Sequence, residues 1–276
     1  MKTIGWGLLS VLTVALLCGC GGGAGLVSSE SRLDYGPAEG NRESTDPILG
    51  DRKDARSRAI AHTDLAAAYF EKGEMAIALE ETRIALRIDD SYPPIYNLLG
   101  LIQMQLKDPA QARASFERAL RLDSRDPDIN HNFGRFLCQN GSETEGIRYF
   151  MNAVQNPLYK SPARSYGAAG ACYQSLKRDD DAFDMYDRAL KLDPNYQAAL
   201  LPHATLLMRR GALDEASALL VRYNRLARPN MDSLWLTVRI AHRRGDAQTE
   251  KDASAALRRT YPDSEPVRAM DRGDFR

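Results

Sequence analysis

Four histidines, four cysteines and several clustered carboxylates are the residues of this chain best suited to chemistry, and their spacing decides whether they perform it. His62, His131, His203 and His242 lie far apart, and none has a second His, a Cys or a carboxylate at metal-ligand spacing. A nucleophilic serine would need a sharp Gly-x-Ser-x-Gly turn, and a phosphate site a glycine loop between strand and helix. The chain has neither, because its glycine-rich GCGGGAG follows an apolar run instead. Asp89-Asp90 and Asp179-Asp180-Asp181 fall at helix ends or turns, where capping and solvation account for them. Asn140-Gly141-Ser142 has the form of a glycosylation acceptor but reads better as a turn between helices. No catalysis, metal, cofactor or small-molecule substrate is expected. Cys138 and Cys172 leave two readings open: a disulfide in an oxidising compartment, or two small core hydrophobes, which is the plainer reading.

The elements that carry these residues are read most clearly from Ala163 to Tyr196. Tyr166, Ala169, Gly170 and Tyr173 share one helical face, and Ala182, Tyr186, Ala189 and Leu190 share another before Pro194 stops the pattern. Small residues at Gly170, Ala182 and Ala189 let two helices approach closely while the tyrosines fill the wedge. This helix–turn–helix unit resembles the tetratricopeptide repeat, about 34 residues long. The template recurs from positions near 59, 93, 127, 163, 197 and 231, with Gly73, Gly141, Gly211 and Gly245 at one shared turn position that can need positive φ. One step is longer and holds NPLYKSPARS, from Asn156 to Ser165. The resemblance implies an all-α, right-handed superhelical solenoid of six repeats over residues 56–264, with a polar C-terminal tail over 265–276.

Residues 1–19 read as a lipoprotein signal peptide. Lys2 is followed by an apolar run from Ile4 to Leu17, too short to span a bilayer comfortably. Leu17-Cys18-Gly19-Cys20 resembles the bacterial lipobox, which implies that Cys20 becomes the acylated N-terminus, with palmitate-type chains as the anchor. Gly21 stands where an Asp would favour retention in the inner membrane, so an outer-membrane location facing the periplasm is expected. Residues 20–55, with Gly36-Pro37, Gly40, Asp46-Pro47 and Gly50, read as a flexible tether. About thirty such residues reach ~30 Å. Across the chain, 43% hydrophobic residues, 27% charged residues and a net charge of +0 give no bulk attraction to nucleic acid.

Binding is the function that remains. In tetratricopeptide arrays the first helices line the concave face, and counting two, five, nine and twelve from each repeat start selects Phe70, Asn97, Leu101, Met104, His131, Arg135, Arg164 and Gln174 as a partner-binding groove. This mixed set suits a peptide or a partner's helix. Capture of a terminal carboxylate is not expected, because that needs several Lys, Arg and Asn, and the chain supplies mainly Asn97 and Arg135. The phrases HNFGRFLCQNG (His131 to Gly141), NPLYKSPARSYGAAG (Asn156 to Gly170) and LRRTYPDS (Leu257 to Ser264) resemble the type IV pilus biogenesis lipoproteins of the PilF/PilW family. That resemblance implies a pilotin, an outer-membrane lipoprotein whose protein partner is a secretin subunit and which promotes secretin multimerisation. A general periplasmic scaffold lipoprotein for an envelope assembly or peptidoglycan machine is the alternative.

Overall fold

The computed structural model describes residues 47–275, with side chains from residue 51 onward. The described residues form thirteen helices and no strand. Twelve of them make six antiparallel pairs: α1 (Pro47–Glu71) with α2 (Met75–Ile88), α3 (Pro93–Gln105) with α4 (Pro109–Leu122), and α5 (Pro127–Gln139) with α6 (Glu143–Gln155). The series continues with α7 (Pro162–Ser175) and α8 (Asp179–Leu192), α9 (Gln197–Arg209) and α10 (Leu213–Leu226), and α11 (Met231–Arg244) and α12 (Ala247–Thr260). A short α13 (Glu265–Asp271) packs on α12. This is an all-α repeat solenoid.

Proline and short polar side chains set where the helices begin. Pro93, Pro109, Pro127 and Pro162 occupy first-turn positions, where a missing N–H costs nothing and the fixed φ is already helical. Asp108, Asp126 and Asp246 each accept a hydrogen bond from a first-turn amide, and Asn230 with Ser233 completes a capping box.

All six pairs turn on the same device. The second residue after each first helix, or the first after α11, adopts the left-handed conformation, and the next amide donates back across the turn at 2.9 or 3.0 Å, as from Glu74 to the Tyr69 carbonyl or from Asp108 to that of Gln103. Four turns place glycine there. The other two place Lys107 (φ 60°) and Lys177 (φ 57°), which accept a conformation that costs about 1–2 kcal/mol for a residue with a Cβ.

Within each pair the contact is close enough to dictate side-chain size. A Cβ at Gly100 would stand 2.8 Å from the Phe116 ring, and one at Gly170 would stand 2.7 Å from the Tyr186 ring. A Cβ at Gly134 would meet the Gly146 carbonyl at 2.9 Å and the Phe150 ring at 3.0 Å. Where the facing residue is the smaller Leu220, the same place holds Ala204.

Three expectations need correction. Residues 47–55, read as tether, belong to α1, whose Arg56 pairs with Asp89, donates to Ser91 and lies over the Tyr92 ring. Those contacts hold α1 against the following turn, so the helix runs well ahead of the first repeat pattern. The stretch read as a polar tail forms α13, with Val267, Ala269 and Met270 buried against Val238 and Leu257 and their neighbours. An end repeat exposes an apolar face, and α13 covers it. Cys138 and Cys172 are bonded to each other rather than left as free core hydrophobes, with Cα atoms 5.9 Å apart. The bridge links α5 to α7 across 34 residues, for which the chain-entropy account gives about 3–4 kcal/mol.

Two substitutions should move stability in opposite directions. Lys107→Gly removes the left-handed penalty and should raise stability by about 1 kcal/mol. Gly170→Leu drives bulk into the Tyr186 ring and should lower it by about 1–3 kcal/mol or more. Thermal melts of the two variants check both signs; a change in the same direction for both would refute this account of the repeat.

Candidate partner-binding face

The first helices of successive repeats touch one another in series, α1 with α3, α3 with α5, α5 with α7, α7 with α9 and α9 with α11. No pair of second helices packs to a comparable extent among the described residues. The layer with the closer spacing lies on the inside of a curved stack, so the first helices form the inner face.

The candidate residues divide by what they touch. Phe70 is half-buried beside Ala66, Leu98 and Ile102. Leu101 and Met104 are half-buried over the Phe116, Phe133 and Phe136 cluster, and both keep part of their apolar surface open. Asn97, Asn132 and Arg164 form a polar rail across three helices. Asn132 Nδ2 donates to Asn97 Oδ1 at 3.1 Å, and Arg164 donates to Asn132 Oδ1 at 3.4 Å. Asn132 lies one position outside the counting rule and so was not selected from the sequence. Arg135 is half-buried, and its Nε is buried and meets no hydrogen-bond acceptor among the described residues.

His131 and Gln174 are spent on the fold. His131 is only 2% exposed, and its Nδ1 meets Ser165 Oγ at 2.8 Å; the same hydroxyl meets Tyr159 Oη at 3.0 Å. The longer Asn156–Ser165 step is thereby pinned through Tyr159 to α7 and α5, and His131 is removed from the groove. The side-chain oxygen of Gln174 accepts from Tyr186 Oη at 2.6 Å, which secures α8.

Electrostatics reinforces this division. Burial, and then the charges of Arg164 and Arg135, lower the His131 ring from its ordinary 6.5 to about 3. Burial, and then the charge of Arg164, also hold the Arg135 guanidinium below its usual range. Two cations thus face one corner of the inner surface, and neither has a carboxylate partner among the described ion pairs.

The sixth repeat carries an arrangement that the counting rule reaches but that was not singled out. Its positions five, nine and twelve are Trp235, Arg239 and His242. Phe275 stacks on His242 with ring centroids 3.9 Å apart and lies 6.1 Å from Trp235, while Arg239 Nε donates to the Phe275 carbonyl at 3.3 Å.

A solenoid of helix pairs with an apolar and amide-lined inner face defines a tetratricopeptide-repeat interaction protein, and the tetratricopeptide repeat family matches residues 93–126 and 176–237. Type IV pilus assembly protein PilF of Pseudomonas aeruginosa is 26% identical over 204 residues, covering 74% of this chain and 81% of that protein. A solved structure of Pseudomonas aeruginosa PilF superposes with a TM-score of 0.76 at 25% identity, over 80% of this chain and 99% of that one. The crystal structure of PilW, described as a widely conserved type IV pilus biogenesis factor, gives a TM-score of 0.68 at 27% identity, over 77% and 97%. The chain is an all-α tetratricopeptide-repeat solenoid that is similar to PilF and PilW.

The buried histidine gives a pH signature. Folded His131 resists protonation until about pH 3, whereas the unfolded ring takes up a proton below 6.5, so its contribution is complete above pH 6.5 and is lost as pH falls toward 3. Between pH 7 and pH 5 this group alone should remove on the order of 2 kcal/mol. Urea denaturation at the two pH values should show that loss, and His131→Gln should flatten it. An equal loss in both proteins would show that His131 is not the sensor.

Proposed function

We propose that this chain is a pilotin-type biogenesis factor of the type IV pilus, a lipid-anchored protein that binds a secretin subunit through its inner face and promotes secretin multimerisation at the outer membrane. The observation that carries this reading is the match to PilF and PilW over nearly the whole length of both solved chains. The inner face supports it by offering apolar surface at Leu101 and Met104 beside the half-buried amide of Asn97, which is chemistry suited to peptide binding. The Cys138–Cys172 bridge favours an oxidising compartment such as the periplasm. The lipobox and its acylated Cys20 fall outside the described residues and rest on the sequence. The fold leaves no second domain among the described residues to house catalysis, and the role proposed is interaction without chemistry.

The test is made in cells. Loss of the protein should abolish heat-resistant secretin multimers in the outer membrane, and the double change Leu101→Ala with Arg135→Ala should reduce them while the protein stays folded. Truncating a central hot-spot contact costs more than about 1 kcal/mol. Cys20→Ala should lose incorporation of an acyl-chain probe and, with it, the membrane fraction. Wild-type multimer levels in the deletion strain would replace the pilotin with a general periplasmic scaffold.

A further inference from the structure

The inner face already holds one chain segment, and it is the protein's own. In the sixth repeat, Arg239 at position nine receives the Phe275 carbonyl, the Phe275 ring fills the space against Trp235 and His242, and the charge of Asp274 acts on Arg239. The segment is therefore an acidic residue followed by an aromatic one, laid on an arginine flanked by rings.

The third repeat presents the same position nine as Arg135, counted from Pro127 as Arg239 is counted from Met231. There the guanidinium has a second cation beside it, Arg164 from the first turn of α7. Its Nε is buried without an acceptor among the described residues, and the apolar Leu101 and Met104 stand on the neighbouring first helix α3, whereas the sixth repeat has its rings on the arginine's own helix, at positions that hold His131 and Cys138 in the third repeat. Like charges in a half-buried corner repel, and removing an N–H from water without an acceptor is costly. An entering carboxylate would relieve both and would form charge-assisted hydrogen bonds in surroundings drier than the open surface. Of the acidic groups nearest in sequence, Asp126 caps α5, and the charge of Asp128 acts on Tyr159 as that of Arg164 does, while burial and Arg164 are what act on Arg135.

We propose that Arg135 and Arg164 form the receptor for an acidic side chain, Asp or Glu, of a protein partner whose next residue is apolar and rests on Leu101 and Met104. This rests on the inner face being the partner-binding surface, and it names the chemistry that surface selects. An internal acidic residue is favoured over a chain terminus because Asn97 and Asn132 are bonded to each other along the rail and are not poised to clamp a terminal carboxylate. It is favoured over phosphate because the corner opens onto apolar side chains, which an inorganic anion leaves uncovered.

The experiment uses the full-length lipidated protein in detergent and a synthetic library of end-blocked peptides. One central position is fixed as Asp, Glu, Asn or Gln, the next as Phe or Leu, and the remainder are mixed Ala, Ser and Leu. The retained pool should favour Asp and Glu over their amides by about tenfold. Arg135→Gln and Arg164→Gln should each abolish that preference, and Arg135→Lys should restore part of it, with unchanged melting curves showing that the fold is intact. Equal retention of acids and amides overturns the proposal, and so does absence of retention. Binding of inorganic phosphate, followed by ³¹P line broadening, without selection of acidic peptides also overturns it. The secretin multimer assay decides the pilotin reading separately, so selection of acidic peptides with normal multimers in the deletion strain would keep this inference and remove that one.

Discussion

The backbone of each first helix lies against a side chain of its own second helix, and the rest of the array follows from that contact. With Gly100 against Phe116, Gly134 against Phe150 and Gly170 against Tyr186, ring volume on one helix is matched by the absence of a Cβ on the other. Close packing makes the match strict, because protein interiors leave little room for an extra methyl group. The left-handed residue at the turn fixes the angle at which the two helices meet, and the bond closing that turn is 2.9 or 3.0 Å long in all six pairs. Similar pairs then stack in series, and the inner face exists because that stacking brings the first helices together.

How much of this was legible in the sequence varies with the kind of signal. The glycine–ring contacts were, because small and large residues recur at fixed spacing and nothing but a close helix pair explains them. The two lysine turns were not. Lys107 and Lys177 carry no mark of a left-handed backbone, and only the register of the neighbouring glycines identifies them. Cys138 and Cys172 sit 34 residues apart, one repeat step, which brings them near each other but leaves two small core hydrophobes as the plainer reading until helix rotation is known. The end elements were misread for a common reason. Residues 47–55 and 265–275 pack only on one side, so their apolar periodicity is weak, and polar composition there masks helices held by a few contacts such as Arg56 with Asp89 or Met270 with its core cluster.

The candidate face was legible as positions but not as roles. A counting rule places His131 on the inner surface, yet the longer Asn156–Ser165 step brings Tyr159 and Ser165 over it, and a ring between a hydroxyl and Phe150 becomes a structural group. The same burial that removes His131 from binding concentrates positive charge next to it, since a neutral imidazole cannot offset the fields of Arg135 and Arg164. The insertion and the cationic corner are thus one feature: the loop that buries the histidine leaves two arginines as the charged groups at that corner.

The two ends of the inner face differ in consequence. At the sixth repeat, Trp235, Arg239 and His242 are covered by Phe275, so the positions best able to hold a segment there are already filled from within the chain. A foreign segment would have to displace an aromatic ring stacked at 3.9 Å and a hydrogen bond to Arg239 before gaining any contact of its own. At repeats two to four, Leu101, Met104, Arg135 and Arg164 have no such cover among the described residues. Binding energy is available where burial is incomplete and charge is unopposed, so under the proposed function the receptive part of the solenoid is expected between α3 and α7. The C-terminal segment does two things in the fold: α13 packs over the apolar cluster of the sixth repeat, and Phe275 fills that repeat's inner surface.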